Sequence, residues 1–264
     1  MIPLKDNIAL SRVPLITIAL VLINVIAYLL AIRHGGSFFG GPTNSVEVRY
    51  GAIPYELTHP GSHCGLLTSQ SPEGAFSAVA CEGQRGVQGS PGPQPATWET
   101  ALTAMFLHAS FLHIFGNMLF LAIFGPRVED AMGRLRYCAF YLLGGIVALA
   151  AQVLSAPGSS SPTLGASGAI AAVLGGYLLM YPRAKVLTLV FIVFFVTLIE
   201  VPAVLLLGFW LLEQLYLGLE GLSSSVGGGE GVAYFAHIGG FAFGLLAIRM
   251  FARRRSTPRA LTAP

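Results

Sequence analysis

Six apolar stretches of membrane-spanning length limit what this chain of 264 residues can fold into. They fall at Val13 to Ala31, Leu102 to Phe124, Tyr137 to Leu154, Gly165 to Tyr181, Pro202 to Leu219 and Val232 to Met250. Each is near the roughly 20 residues that cross about 30 Å of hydrocarbon. Backbone N–H and C=O groups find no water in that layer, so each stretch must close its own hydrogen bonds as a helix. With 54% hydrophobic and 10% charged residues, the chain has too little polar material to cover a soluble surface. The expected fold is an all-α polytopic membrane protein with six transmembrane helices. Val186 to Ile199 is also apolar, but it is short and is closed by Glu200 and Pro202. It reads as an interfacial or re-entrant piece ahead of the fifth span, with a seventh span as the alternative.

Charge sets the expected orientation, because Lys and Arg in short loops stay on the cytoplasmic side. With the N-terminus inside, Lys5, Arg12, Arg127, Arg134, Arg136, Arg183, Lys185, Arg249, Arg253, Arg254, Arg255 and Arg259 are inside, and Arg33, Arg49 and Arg85 outside. That division predicts both termini cytoplasmic, in a plasma (cell inner) membrane. It also means that the net charge of +3 reports topology and implies no nucleic-acid partner. The domain plan is a cytoplasmic N-terminus (1–12), a retained first span (13–31), a long external loop (32–101), a core of spans two to six (102–252) and a basic cytoplasmic tail (253–264) that flanks the lipid.

The external stretch from His34 to Thr100 is rich in Gly, Pro and Ser, lacks clear periodicity and leaves through Pro91-Gly92-Pro93 and Pro95. It reads as an extended loop or loop domain. Cys64 and Cys81 sit in it, in an oxidising compartment if the orientation holds, which makes them either a disulfide or two free thiols. His59, His63 and Cys64 match no closed zinc pattern. Cys138, at the inner end of span three, reads as a small packing residue.

The spans hold few polar side chains, and an intramembrane polar residue is a functional hypothesis by default. Counting back from the inner charges at about 1.5 Å per residue puts Ser167 about 24 Å up, His113 about 21 Å, His237 about 18 Å and Asn117 about 15 Å. Four polar residues from three spans thus share one layer. Small residues show how two of them could meet. Gly240 and Gly244 stand on the His237 face of span six as a G-x-x-x-G pair, and Ala171 and Gly175 stand on the Ser167 face of span four. Taken singly, Ser167 bonded to its own backbone and His237 as a buried interhelical donor are adequate structural explanations. Together, on complementary small faces, they read as a nucleophile and its base. His113 and Asn117, four residues apart on span two, could donate to a developing oxyanion with the Ser167 backbone N–H at a helix start. His108, further outward, reads as a structural histidine. A metal bound by His108, His113 and His237 would lack carboxylates and a supporting shell, so no metal is expected.

In this order on spans two, four and six, His108-x4-His113-x3-Asn117, Gly165-Ala166-Ser167-Gly168 and Ala236-His237-x2-Gly240-x3-Gly244 resemble the rhomboid family of intramembrane serine proteases. The resemblance runs from the Pro3-Leu4-Lys5-Asp6 leader and Asn24 to the end of span six. It implies a six-helix rhomboid-like bundle, a Ser167/His237 dyad with no acidic third member, and an oxyanion hole of His113, Asn117 and the Ser167 amide. It implies no cofactor, and substrates that are transmembrane segments cut near their outer end at a small residue. Three features depart from the family pattern. Trp98 is followed by Glu99 where many rhomboids have Arg, the first external loop is unusually long, and the aromatic one turn after the serine is Ala171.

An α/β-hydrolase is excluded because its nucleophile elbow needs a strand before G-x-S-x-G, and here a polar loop precedes an apolar helix. A transporter or channel would show repeated halves or charged residues in its spans. A catalytically inactive rhomboid-like protein that binds or escorts membrane helices would share the fold but need neither Ser167 nor His237.

Overall fold

The architecture is taken from a computed structural model, which describes residues 2–33, 35–71, 74–84, 95–192, 195–223 and 232–252. Pro91-Gly92-Pro93, Arg85 and the basic tail 253–264 lie outside the described residues. The bundle consists of α1 (Leu15–Ile32), α5 (Phe111–Met132), α6 (Arg134–Ser155), α7 (Ser167–Met180), α8 (Ala203–Ser223) and α9 (Tyr234–Phe251). All but α7 are long and apolar enough to cross a membrane. The 14-residue α7 is the innermost helix, with every residue from Gly168 to Tyr177 buried, and it packs against α5, α6 and α9.

The helices bury a core of large side chains that includes Leu121, Phe124, Phe140, Tyr141, Tyr177 and Phe241, and they also leave many large apolar side chains on the outer surface, as a bundle surrounded by lipid tolerates. On α1, Thr17, Leu20, Asn24 and Tyr28 are buried at helical spacing, while Leu15, Ile18, Leu22, Ile26 and Leu29 are exposed. Between α7 and α9 the contact is backbone on backbone. A Cβ at Gly240 would meet the Gly168 carbonyl, one at Gly244 the Ala172 carbonyl, and one at Gly175 the Phe241 carbonyl. A single residue, Gly133 at φ +80°, reverses the chain between α5 and α6, a conformation that strains any residue with a Cβ.

One end of the bundle is closed by ionic contacts. Glu129, buried on α5, accepts from the N–H groups of Ile16 and Thr17 and from the Thr17 hydroxyl at 2.8 to 3.0 Å. It satisfies the first turn of α1, which no side chain of its own caps. Asp6 receives Arg127 Nη2 at 2.6 Å, Arg127 Nε at 2.9 Å and the Tyr177 hydroxyl at 2.8 Å. This ties the chain ahead of α1 to α5 and α7.

Strands appear only outside the six helices. Val186 to Ile199, expected as an interfacial or re-entrant piece or else a seventh span, is not a spanning helix. It forms the hairpin β4 (Lys185–Ile192) and β5 (Phe195–Pro202), and β1 (Ile2–Asp6) adds to β4 in an antiparallel sheet of order β1-β4-β5. Ala184, Val186, Thr188 and Val190 are buried in alternation, the period of two that a strand requires. On β5 both faces expose apolar side chains, Val196 and Leu198 on one and Ile199 on the other, so the sequence shows a continuous run. Span two also starts later than composition suggests. Leu102 ends neither in nor near the long helix, because α4 (Thr97–Thr103) and a 3₁₀ turn (Ala104–Phe106) precede it. Ser110, in extended conformation, then caps α5 by accepting from the His113 N–H at 3.2 Å.

The long loop has structure of its own. It contains α2 (Asn44–Tyr50), α3 (Pro54–Thr58) and the hairpin β2 (Cys64–Ser71) with β3 (Gly74–Cys81). Val48, Ile53, Cys64 and Cys81 form a small core, against which Tyr55, Leu66 and Val79 pack. Cys64 and Cys81 face each other in the hairpin register and are joined as a disulfide. Buried Glu56 accepts the Cys64 N–H at 2.6 Å. The unit is fixed to the turn before α7 by Ala52 pairing with Thr163, the Tyr55 N–H donating to Ser159 and the Thr58 hydroxyl donating to Pro157.

Two outcomes test these anchors. Peptide mapping without reductant should recover the Cys64 and Cys81 peptides linked. The Cys64→Ser/Cys81→Ser variant should lose protection from proteolysis across 44–84, consistent with about 3 kcal/mol from a crosslink of this span. Asp6→Ala should lower thermal stability in detergent by about 3 kcal/mol, the low end for breaking a buried ion pair, because Arg127 retains some exposure.

Candidate active site

Ser167 is the first residue of α7 and follows Gly165 and Ala166, whose conformations set its direction. Gly165 has φ +120°, and a Cβ there would lie 2.8 Å from His113 Nε2 and 3.6 Å from Ser167 Oγ. Two independent reasons therefore demand glycine, the left-handed backbone and the crowding between these two side chains. The Gly165 N–H donates to the Ala104 carbonyl at 2.8 Å, and the Ala166 N–H approaches His108 Nε2 at 3.5 Å. The segment carrying the serine is thus held by residues just before α5. Because Ser167 opens the helix, its own N–H has no intrahelical carbonyl to reach.

His237 sits one turn into α9, buried, where the glycine contacts bring α9 onto α7. Its Nε2 lies 2.8 Å from Ser167 Oγ. Ser167 and His237 therefore meet, and Gly168, Gly240 and Gly244 are positions at which the helices touch. His113 and Asn117 share the inward side of α5. His113 flanks Gly165 opposite the serine, and buried Asn117 has an Nδ2 with no hydrogen-bond partner among the described residues. A buried donor without an acceptor is costly, and it is what a site awaiting an oxyanion would hold.

His108 differs from its expected position. It is not a further turn of the α5 helix but lies in the extended segment ahead of it, fully buried, with its ring edge-on to His113 at 5.0 Å. Its contact is with the loop that carries Ser167.

The chain carries the pattern of these helices through most of its length, and residues 95–254 match the model of the Rhomboid domain. The protein belongs to the rhomboid family. Similar chains include RHOMBOID-like protein 4 of Arabidopsis thaliana, 35% identical over 55% of this chain. Rhomboid protein 1, mitochondrial, of Saccharomyces cerevisiae is 30% identical over 53%, and Rhomboid-like protein 11, chloroplastic, of Arabidopsis thaliana is 27% identical over 59%. The matched stretches span 32%, 38% and 53% of those relatives' own lengths. This rhomboid-family chain is an integral, multi-pass membrane protein.

Two neighbours of His237 have no counterpart among the expected residues, and both come from α8. The Gln214 side-chain oxygen lies 2.7 Å from His237 Nδ1, and the Trp210 ring lies 5.7 Å from the imidazole and 6.0 Å from Phe241. The imidazole is therefore not held by packing alone, as the lack of an acidic partner suggests. Ala171 is fully buried and leaves room for the close approach at Gly240, while the aromatic beside the histidine comes from another helix. The available signal was Gln214 itself, an uncharged polar residue inside an apolar span and one turn from a tryptophan.

A small cleft of about 30 Å³ opens beside Ser167, lined by Ala104, Met105, Gly145, Ala148, Gly168 and Ala236 among others. Alanine and glycine make up most of its lining, with Met105, Leu149, Thr163 and Leu164 completing it, so only a small group could enter.

Gly240→Val should separate α7 from α9 and stretch the Oγ–Nε2 contact. The expected result is a melting point lowered by the equivalent of 1–3 kcal/mol or more and loss of Ser167 labelling by a fluorophosphonate. Gly208→Ala on α8, which adds a methyl into open space, should leave both unchanged.

Proposed function

We propose that this rhomboid-family protein is an intramembrane serine endopeptidase, hydrolysing peptide bonds in or near the transmembrane segments of other membrane proteins. The observation that carries this reading is the 2.8 Å contact between Ser167 Oγ and His237 Nε2 at the depth of the bundle core. The pair joins a nucleophile to a base within hydrogen-bond reach, the arrangement that activates a serine.

His237 takes the hydroxyl proton of Ser167 as the serine oxygen attacks the scissile carbonyl. The negative charge that forms on the carbonyl oxygen is held by the Ser167 backbone N–H, His113 and the Asn117 amide, the last already buried without an acceptor. His237 then gives its proton to the departing amine, and a water, deprotonated by the same histidine, releases the acyl-enzyme. No cofactor takes part. The cleft beside Ser167 favours a substrate residue with a small side chain, and a locally unwound helix would present one. By the distribution of Lys and Arg, both termini are cytoplasmic in a plasma (cell inner) membrane, so cleavage falls in the outer half of the bilayer.

Purified protein incubated with single-span substrates in vesicles tests this reading. Wild type should cleave at a small residue near the outer end of the span, and Ser167→Ala should not. Undiminished turnover by Ser167→Ala overturns the mechanism. Asn117→Ala should lower kcat about 10- to 1,000-fold with little change in KM, the usual cost of one oxyanion donor. Full kcat in a destabilised Asn117→Ala protein would mark Asn117 as a packing residue.

A further inference from the structure

We infer that Gln214 is a positioning residue for the base: its side-chain oxygen keeps the His237 proton on Nδ1, leaving Nε2 free to accept from Ser167. This rests on the protease reading of the same pair.

A neutral imidazole carries one proton, and only one of its two tautomers can act here. With the proton on Nε2, the ring has nothing to accept the serine proton. The amide oxygen at 2.7 Å from Nδ1 is an acceptor only. If Nδ1 were bare, two lone pairs would face each other in a buried setting, and both would lose a hydrogen bond. The arrangement therefore selects the Nδ1–H tautomer. During the reaction the Nδ1 proton stays where it is. The serine proton moves to Nε2, the serine oxygen's electron pair forms the new bond to carbon, and the same Nε2 proton leaves with the amine. The imidazolium that exists between these steps has both of its N–H groups engaged, and the Gln214 carbonyl dipole points at its charge.

The choice of side chain fits the setting. A carboxylate in this place would have to be kept ionised inside a lipid-surrounded bundle, whereas an amide gives the same acceptor without a buried charge. Gln214 is held on the inward stripe of α8, where Ala203, Leu207 and Gln214 are buried at helical spacing. Trp210, one turn before it, lies against both His237 and Phe241 and limits rotation of the imidazole. The groups facing His237 from the other elements are Ser167 on α7 and the titratable His113 on α5. Both remain in the Gln214 variants compared below.

The experiment uses the purified full chain and a fluorophosphonate probe, with labelling rates measured from pH 5 to 9 and melting recorded on the same samples. Wild type should label and Ser167→Ala should not. Gln214→Leu should label about 10- to 1,000-fold more slowly, short of the ~10⁴ lost when a triad carboxylate is exchanged and the wrong tautomer is set. Gln214→Glu keeps an acceptor and should label within about threefold of wild type at its optimum. Its rate should rise at a higher pH than in wild type, because a carboxylate favours the imidazolium. What separates positioning from a structural role is the rescue: Gln214→Glu should restore the labelling that Gln214→Leu loses, even where the two variants melt alike. Labelling of Gln214→Leu at the wild-type rate overturns the inference and leaves the protease reading standing. Gln214→Glu as slow as Gln214→Leu overturns it too, since the acceptor would then be irrelevant. A wild type that labels no better than Ser167→Ala removes the protease reading, and this inference with it.

Discussion

The backbone contact between α7 and α9 is the constraint on which the rest of the arrangement depends. Lipid tails are as apolar as leucine, so helices in a bilayer gain nothing by hiding hydrophobic surface from one another and must gain by touching closely. Here three glycines, Gly175, Gly240 and Gly244, let each helix rest on the other's carbonyls. The consequence is chemical as well as structural. Gly240 and His237 are on one face of α9, and Gly168 follows Ser167, so the close approach of the two helices falls beside the Ser167–His237 contact. A side chain at either glycine would be paid for in the Oγ–Nε2 distance. The short α7 follows from the same constraint, since a buried helix that begins inside the layer needs no length to span it.

The polar interior requires a second kind of support, and it is found away from the serine. Glu129 completes the first turn of α1, and Asp6 binds Arg127 and Tyr177 together. Each is a charged group with several directed partners, which is the condition under which burial of charge is tolerated. These contacts hold α1, α5 and α7 in register at the end where the β1-β4-β5 sheet lies. Further toward the start of α5, buried Asn117 keeps an Nδ2 with no partner among the described residues.

The six helices and the meeting of Ser167 with His237 were legible because each rests on a strong signal: length and apolarity for the spans, and a rare polar residue beside small-residue faces for the pair. The hairpin at Val186 to Ile199 was not legible for a specific reason. Its outward strand positions are as apolar as its inward ones, which erases the alternation that marks a strand. The start of α5 was hidden because Leu102 to Phe106 is apolar although it forms α4 and a 3₁₀ turn, and only Ser110 marks the true beginning. Cys64 and Cys81 could be named as a pair but not placed, since their register depends on a hairpin with no periodicity of its own. Gln214 was missed because attention to reactive residue types passes over a neutral amide, although its cost inside a span is of the same kind as that of Ser167.

The long loop between α1 and α4 is usually the part of such a chain easiest to dismiss, yet its contacts run to the serine. Ala52, Tyr55 and Thr58 bind the turn that leads into α7, while Ala104 and His108, in the segment between α4 and α5, bind Gly165 and Ala166. The segment carrying Ser167 is therefore held from several directions: by α9 through glycine contacts, by the segment between α4 and α5 at Gly165 and Ala166, and by the loop at the turn 157–163. The disulfide and the small core of Val48 and Ile53 give that loop enough internal order to serve as a support. A loop that lacked them would leave Gly165, whose backbone is already in a conformation open mainly to glycine, free to relax. The angle at which the serine leaves α7 would relax with it.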